Sequence, residues 1–563
     1  MRPKHATACV LAASAAMAFA ACGGNEGGGS GGGDAEITWA ISSGWESWNQ
    51  NTSDGNNSYV NQALSPGAAV LGDFDPEGGW VYNDALLASE PELVSEDPMQ
   101  VEYTLNENAQ WSDGEPFRVE DFVYVWYQMS GDPERCAQEQ CAPATTDWGS
   151  NVASIEETED GVVTMTYIDG YLDPEWLFFA LPMYPTHIAE EAGFAEWQTD
   201  PDVMGESAEY FTETAPTWSA GPYTPTEAQI GEYVVYEPNE RYQGSVKPSF
   251  ERLTLQVIEG TEAIVTEMRQ GSIDGAWPSE FAAEELTKLD EDSALRYEVF
   301  DGSIWTHIDA NTNSEFLADV NLRRAAFTAI DIADIIEKNF PDTEVSERRN
   351  HFFNQSSEYF VDLLGQTDPP QGTGDADAAR ELLESEGYTW EDDRLMTPDG
   401  QQVTFNIRYG ETDAIRRTSA ELVQAYLAEI GITVELDAIP DGQLGPVLEG
   451  GDFDMVVFGW SGTPAFTVAP QQYYGSDSGS NFGGLEVDGL DELIAEVRST
   501  TDIGEAAEFA NEVDRIVMDE AYVLPLFDEP QSIMWNTETI SGIVVNGNTQ
   551  AGPLFNVREW TAS

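Results

Sequence analysis

The chain has 563 residues, of which 103 are acidic and 23 basic, giving a formal charge of −80. Such an excess excludes a duplex-binding surface, because nothing offsets phosphate repulsion, and it excludes docking on anionic lipid through basic patches. At 41% hydrophobic and 11% aromatic the sequence is no disordered acidic tail, and its length calls for two or more lobes.

At the amino end, Arg2 and Lys4 precede an apolar run of small residues from Ala6 to Ala21 that stops at Cys22. Residues 1–21 read as an export signal, too short to span a bilayer. The stretch Phe19-Ala20-Ala21-Cys22 resembles a bacterial lipobox, with Phe19 where leucine is usual. That resemblance implies a lipidated Cys22 as the mature amino terminus. Residues 22–35, nearly all Gly and Ser after the cysteine, read as a flexible tether with a reach of about 20 Å. The expected location is the extracytoplasmic face of the cell membrane, with contact to the bilayer only through the lipid.

Glu36 to Ile41 alternates like a strand. The polar loop after it, Ser42 to Asn57, carries Trp45 and Trp48, which suit either ligand stacking or the packing of one lobe on another. Asp73-Phe74-Asp75-Pro76-Glu77-Gly78 loosely imitates a calcium loop, but Pro76 and the missing terminal Glu favour a hairpin turn. No metal site and no cofactor are expected. Cys136 and Cys141 enclose four residues, and outside the cytoplasm a local disulfide is the expectation.

The segment from Val101 to Trp126 is the most specific. A strand leads into Trp111-Ser112-Asp113-Gly114-Glu115-Pro116 and then into a helix with Val119, Phe122, Val123 and Trp126 on one face. This stretch resembles the signature region of the family-5 extracellular solute-binding proteins, the oligopeptide- and dipeptide-binding subunits of ABC importers. The resemblance continues in order through Ala220-Gly221-Pro222-Tyr223, Gly231 to Tyr242, Glu262 to Asp274, Trp305 to Asn313 with Val320 to Ala325, and Ala376 to Tyr388.

Farther along, Val403 to Tyr409, the apolar helical spacing from Ile415 to Ile430, and Ile432 to Leu436 form a βαβ pattern, with Gly431 at the helix end. Met455 to Phe458 is a short unbroken apolar run, as a strand buried on both faces requires. It ends in Gly459-Trp460-Ser461-Gly462-Thr463, beyond the carboxyl ends of the strands, where open α/β sheets bind ligands.

The resemblance implies a two-lobed α/β fold of the periplasmic-binding-protein type with two hinge crossings. Lobe one would take residues 36–300 with an extra subdomain over about 59–173, lobe two 301–524, and the chain would return to lobe one over 525–563. Solute, most simply a peptide, would lie between Trp45 and Trp48 on one side and Trp305, Trp460, Ser461, Gly462 and Thr463 on the other. The permease subunits of an ABC importer would be the partners, and the protein would act as a monomer. In peptide-binding relatives an aspartate matching Thr463 holds the peptide's amino terminus. A hydroxyl cannot neutralise an ammonium, so a non-peptide or blocked solute is the alternative.

A mature chain with three histidines (His187, His307 and His351) and no nucleophile elbow or His-Glu-x-x-His pair is not read as an enzyme. An extracellular hydrolase stands last, behind a lipoprotein scaffold or regulator without transport. The charge carries its own prediction. Stability should rise as salt screens the surface repulsion, so the melting temperature should climb between dilute buffer and molar sodium chloride, most steeply at the dilute end.

Overall fold

Ten strands of the computed structural model, which describes residues 35–278, 280–411, 413–440 and 443–563, join in one mixed sheet. The signal, Cys22 and most of the tether lie outside the described residues. Across the sheet the order is Thr433–Ile439, Thr404–Gly410, Met455–Ser461, Leu295–Ala310, Val523–Asn536, Gly275–Trp277, Glu36–Ile41, Arg252–Val257, Tyr233–Pro238 and Tyr223–Gln229.

The apolar run from Met455 to Phe458 sits inside this sheet, at most 2% exposed. It runs parallel to Thr404–Gly410, with Ile407 opposite Met455, and antiparallel to Leu295–Ala310, with Trp305 opposite Trp460. The βαβ unit forms as its sequence dictates. Asp413 accepts from Arg416 N at 2.9 Å to cap the helix Ala414–Glu429. At the other end Gly431, at φ +87°, makes the left-handed exit that a side chain would resist.

Two long strands run through the middle of the sheet. Leu295–Ala310 and Val523–Asn536 pair antiparallel along almost their whole lengths, from Leu295 opposite Asn536 to Asp309 opposite Val523. One end of the pair joins Met455–Ser461 and the other joins Gly275–Trp277. The register shifts between Asp301 and Trp305. Both are continuous strands that tie the two parts of the sheet together.

A separate four-stranded sheet, Glu92–Glu96, Met99–Thr104, Val162–Tyr167 and Val152–Glu159, packs with the helix Val119–Met129. Its core draws on residues from Ala69 through Ala220, and the helix Pro201–Glu213 buries Met204, Ala208 and Phe211 there. Cys136 and Cys141 are disulfide-bonded with their Cα atoms 6.3 Å apart. Both are fully buried in this core.

At the centre of the same core the Asp121 carboxylate is fully buried and takes four hydrogen bonds. Trp111 Nε1 donates at 3.1 Å, Arg118 N at 3.2 Å, Thr186 N at 3.0 Å and Thr186 Oγ1 at 2.8 Å. The Trp-Ser-Asp-Gly and Glu-Asp-Phe stretches are thus two halves of one structural joint. Ser112 extends it, since its Oγ accepts from Ser219 N at 3.1 Å.

Candidate ligand-binding site

A cavity of about 580 Å³ opens between four stretches of lobe one, and lobe two supplies its remaining wall. The four are the loop after the first strand, the hairpin Gly72–Phe74/Trp80–Tyr82, residues 178–182, and the carboxyl-terminal segment around Gly552–Glu559. Thr463 and Ala465 close it from lobe two. Its size falls within the about 300–1,000 Å³ of small-molecule sites.

The wall is built from side-chain amides. Gln50 Nε2 donates to Asn61 Oδ1 at 2.6 Å, and Asn61 Nδ2 donates to Gln550 Oε1 at 2.5 Å, a relay that joins the first loop to the last segment. Asn61 is aimed by the helix Ser58–Leu64, which starts where Asn57 accepts from Tyr59 N and Val60 N. Asn548 Nδ2 donates to the carbonyls of Asp75 and Pro76 at 3.0 and 3.1 Å and so fixes the hairpin. Phe74, Tyr82, Phe178 and Phe555 add apolar surface between the amides.

Four charged residues line the cavity: Asp73, Asp75, Arg558 and Glu559. Asp75 Oδ1 accepts from Glu77 N and Gly79 N, closing the hairpin turn that the sequence suggested. Arg558 donates to Tyr242 Oη at 3.0 Å and lies 3.6 Å from Asp84 and 3.8 Å from Glu559. Asp73 Oδ2 accepts from Thr549 Oγ1 at 2.7 Å and Oδ1 from Phe74 N at 2.8 Å, and burial pushes its carboxyl up to about 6. Among the described residues no group of three His, Cys, Asp or Glu side chains is placed to hold a metal ion.

Next to the cavity a second carboxylate clasps the lobes. Glu175 Oε1 accepts from Phe466 N at 2.5 Å and Thr467 N at 3.1 Å, and Oε2 from Thr467 Oγ1 at 2.8 Å. Burial, and then the neighbouring Asp173, push its carboxyl up to about 7 from an ordinary 4.5. The folded state therefore keeps a proton that the unfolded chain releases. Stability from this group should fall as pH rises from about 4.5 to 7 and level off above. Urea unfolding of wild type and Glu175→Gln across that window should show the extra slope in wild type alone.

The structure separates the predicted aromatic wall. Trp45 and Trp48 are 4% and 3% exposed and meet edge to face at 5.6 Å inside the lobe-one core. Their loop folds back on itself, with Trp48 N donating to Thr212 O and Ser47, Asn49 and Thr52 bonded to one another, so the indoles turn inward. Trp305 and Trp460 are brought together, but within lobe two. Trp305 is 1% exposed beside His307 at 4.5 Å, and half-buried Trp460 stacks with Tyr473 at 4.6 Å and Phe482 at 5.9 Å. None of the four lines the cavity; nor do Ser461 and Gly462, whose backbone continues the pairing with Leu295–Ala310, Gly462 N donating to Ser303 O. Thr463 does line it. Sequence reasoning missed the amides, because they come from opposite ends of the chain; the signal was the asparagine density at 49–61 and again at 546–556.

The profile of the bacterial extracellular solute-binding proteins, family 5 (Middle), matches residues 84–482. The chain belongs to this family. Family-5 proteins bind solutes, and this one is a solute-binding protein and not an enzyme. The oligopeptide-binding protein OppA of Mycobacterium tuberculosis is 26% identical over 497 residues, covering 85% of this chain and 77% of the relative. Among solved structures, the periplasmic EDTA-binding protein EppA superposes with a TM-score of 0.82 at 25% identity, over 95% of this chain and 98% of that one. The oligopeptide-binding protein AppA of Bacillus subtilis, in complex with a nonapeptide, superposes at 0.67 with 17% identity, over 94% and 99%. Among the described residues no helix is long and apolar enough to cross a membrane.

Proposed function

We propose that this family-5 protein captures a short peptide, or a similar amide-bearing solute, in the 580 Å³ cavity and delivers it to the permease subunits of an ABC importer. The amide-lined wall carries this reading. A carboxamide offers both donors and an acceptor, as a peptide group does, so Gln50, Asn61, Asn548 and Gln550 suit a backbone without selecting its side chains. The names of OppA and AppA support the peptide class. Lipidation at Cys22 would hold the protein beside its permease; an intact mass showing a mature chain that begins at Cys22 and carries acyl groups is the expected result.

The likeness to an EDTA-binding protein raises a second reading, a metal chelate. The wall opposes it. Three carboxylates stand against one guanidinium that is already engaged, the wrong sign for a polycarboxylate. Calorimetric titration with a mixed tri- to pentapeptide library should give binding with Kd on the order of 1 µM, about −8 kcal/mol. Binding of Fe(III)-EDTA with no response to peptides would transfer the function to the second reading.

A further inference from the structure

We infer that Asp73 is the seat for a cationic group, an ammonium or a guanidinium, on the solute that occupies the cavity. This rests on the cavity being the solute site. The other charged groups of the wall are already paired or engaged. Asp75 is occupied by its own turn, and Arg558 and Glu559 face one another with Asp84 and Tyr242 completing the arginine's partners. Among the described residues Asp73 has a hydroxyl and one amide N–H as partners and no cation.

Apart from Asp75, Arg558 and Glu559, the groups around the cavity wall are uncharged. The first loop presents Gln50, Asn51, Asn56 and Asn61, residues 178–182 are uncharged, and lobe two offers Thr463 and Ala465. The causes of its raised carboxyl pKa are burial against two hydrogen bonds, with no charged neighbour among them. A half-buried carboxylate in this state gains most from a cation brought by the solute, because a charge-assisted bond is roughly twice as strong as a neutral one. The hydroxyl of Thr549 and Phe74 N fix both oxygens, so the carboxylate is already oriented when the solute arrives.

The sign of the pH effect follows. The empty site protonates near pH 6, and the cation requires the ionised form, so affinity should be constant above about pH 7 and fall about tenfold by pH 5. Asp73→Asn keeps an oxygen for the Thr549 hydroxyl, removes the charge, and should melt no lower than wild type.

The test is native mass spectrometry and calorimetry of the full chain with three probes. These are a tri- to pentapeptide library, the same library with every amine acetylated and arginine-containing members removed, and spermidine as a non-peptide polyamine. The expected result is at least about tenfold tighter binding of the free-amine library than of the acetylated one, with the pH dependence above. Both the preference and the pH dependence should vanish in Asp73→Asn. Equal binding of the two libraries by wild type, or a preference that survives in Asp73→Asn, would overturn the role of Asp73 while leaving the peptide reading intact. Binding of spermidine alone, lost in Asp73→Asn, would support the seat and defeat the peptide reading. Binding of none of the three would overturn both.

Discussion

Asp121→Ala is expected to lower the stability of the protein by on the order of 4 kcal/mol. Four donors lose one acceptor, and the fully buried Trp111 Nε1 and Thr186 N would be left without partners far from water. Burial outweighs these bonds and raises the carboxyl's own pKa, so the residue serves as a joint between the two stretches it accepts from. Urea denaturation should show the loss, and the four-stranded sheet's core should open first because Trp111 and the helix Val119–Met129 are joined through this carboxylate. A variant within about 1 kcal/mol of wild type would mean that water replaces Asp121 at little cost.

Ala465→Trp is expected to reduce solute affinity at least about 100-fold, about 2.7 kcal/mol, while leaving the ligand-free melting temperature nearly unchanged. Ala465 is half-buried at the lobe-two rim of the cavity, one residue before Phe466, whose N–H is held by Glu175. An indole there occupies the volume the solute needs without entering either core. Trp460→Ala should behave in the opposite way, costing roughly 3 kcal/mol of stability through lost packing on Tyr473 and Phe482. Calorimetry and thermal unfolding of both variants separate the two residues.

Periodicity made the architecture legible. The alternation of Val403 to Tyr409, the helical spacing from Ile415 to Ile430 and the apolar Met455 to Phe458 each became the element they implied. Local pattern reports burial, and burial decides strands and helices. It does not report which residues a long loop turns inward. Trp45 and Trp48 stand in a polar loop, yet 4% and 3% exposure places them in a core, because an indole loses more in water than the loop gains by displaying it. The cavity was less legible for a topological reason. Asn61 and Gln550 bond to one another across a chain separation of 489 residues, and neither carries a local signature. The residues around Asp73 read locally as a hairpin turn; the placing of its carboxylate depends on Thr549, near the other end of the chain.

The central claim, that solute occupies the amide-lined cavity, is tested most directly by a crystal structure of the protein purified together with the solute it retains from its own cells. Ligand density is expected in the cavity, contacting Asp73 and Asn548 on one side and Thr463 on the other. Density lying instead against Trp460 and Tyr473, with only water in the cavity, would contradict it.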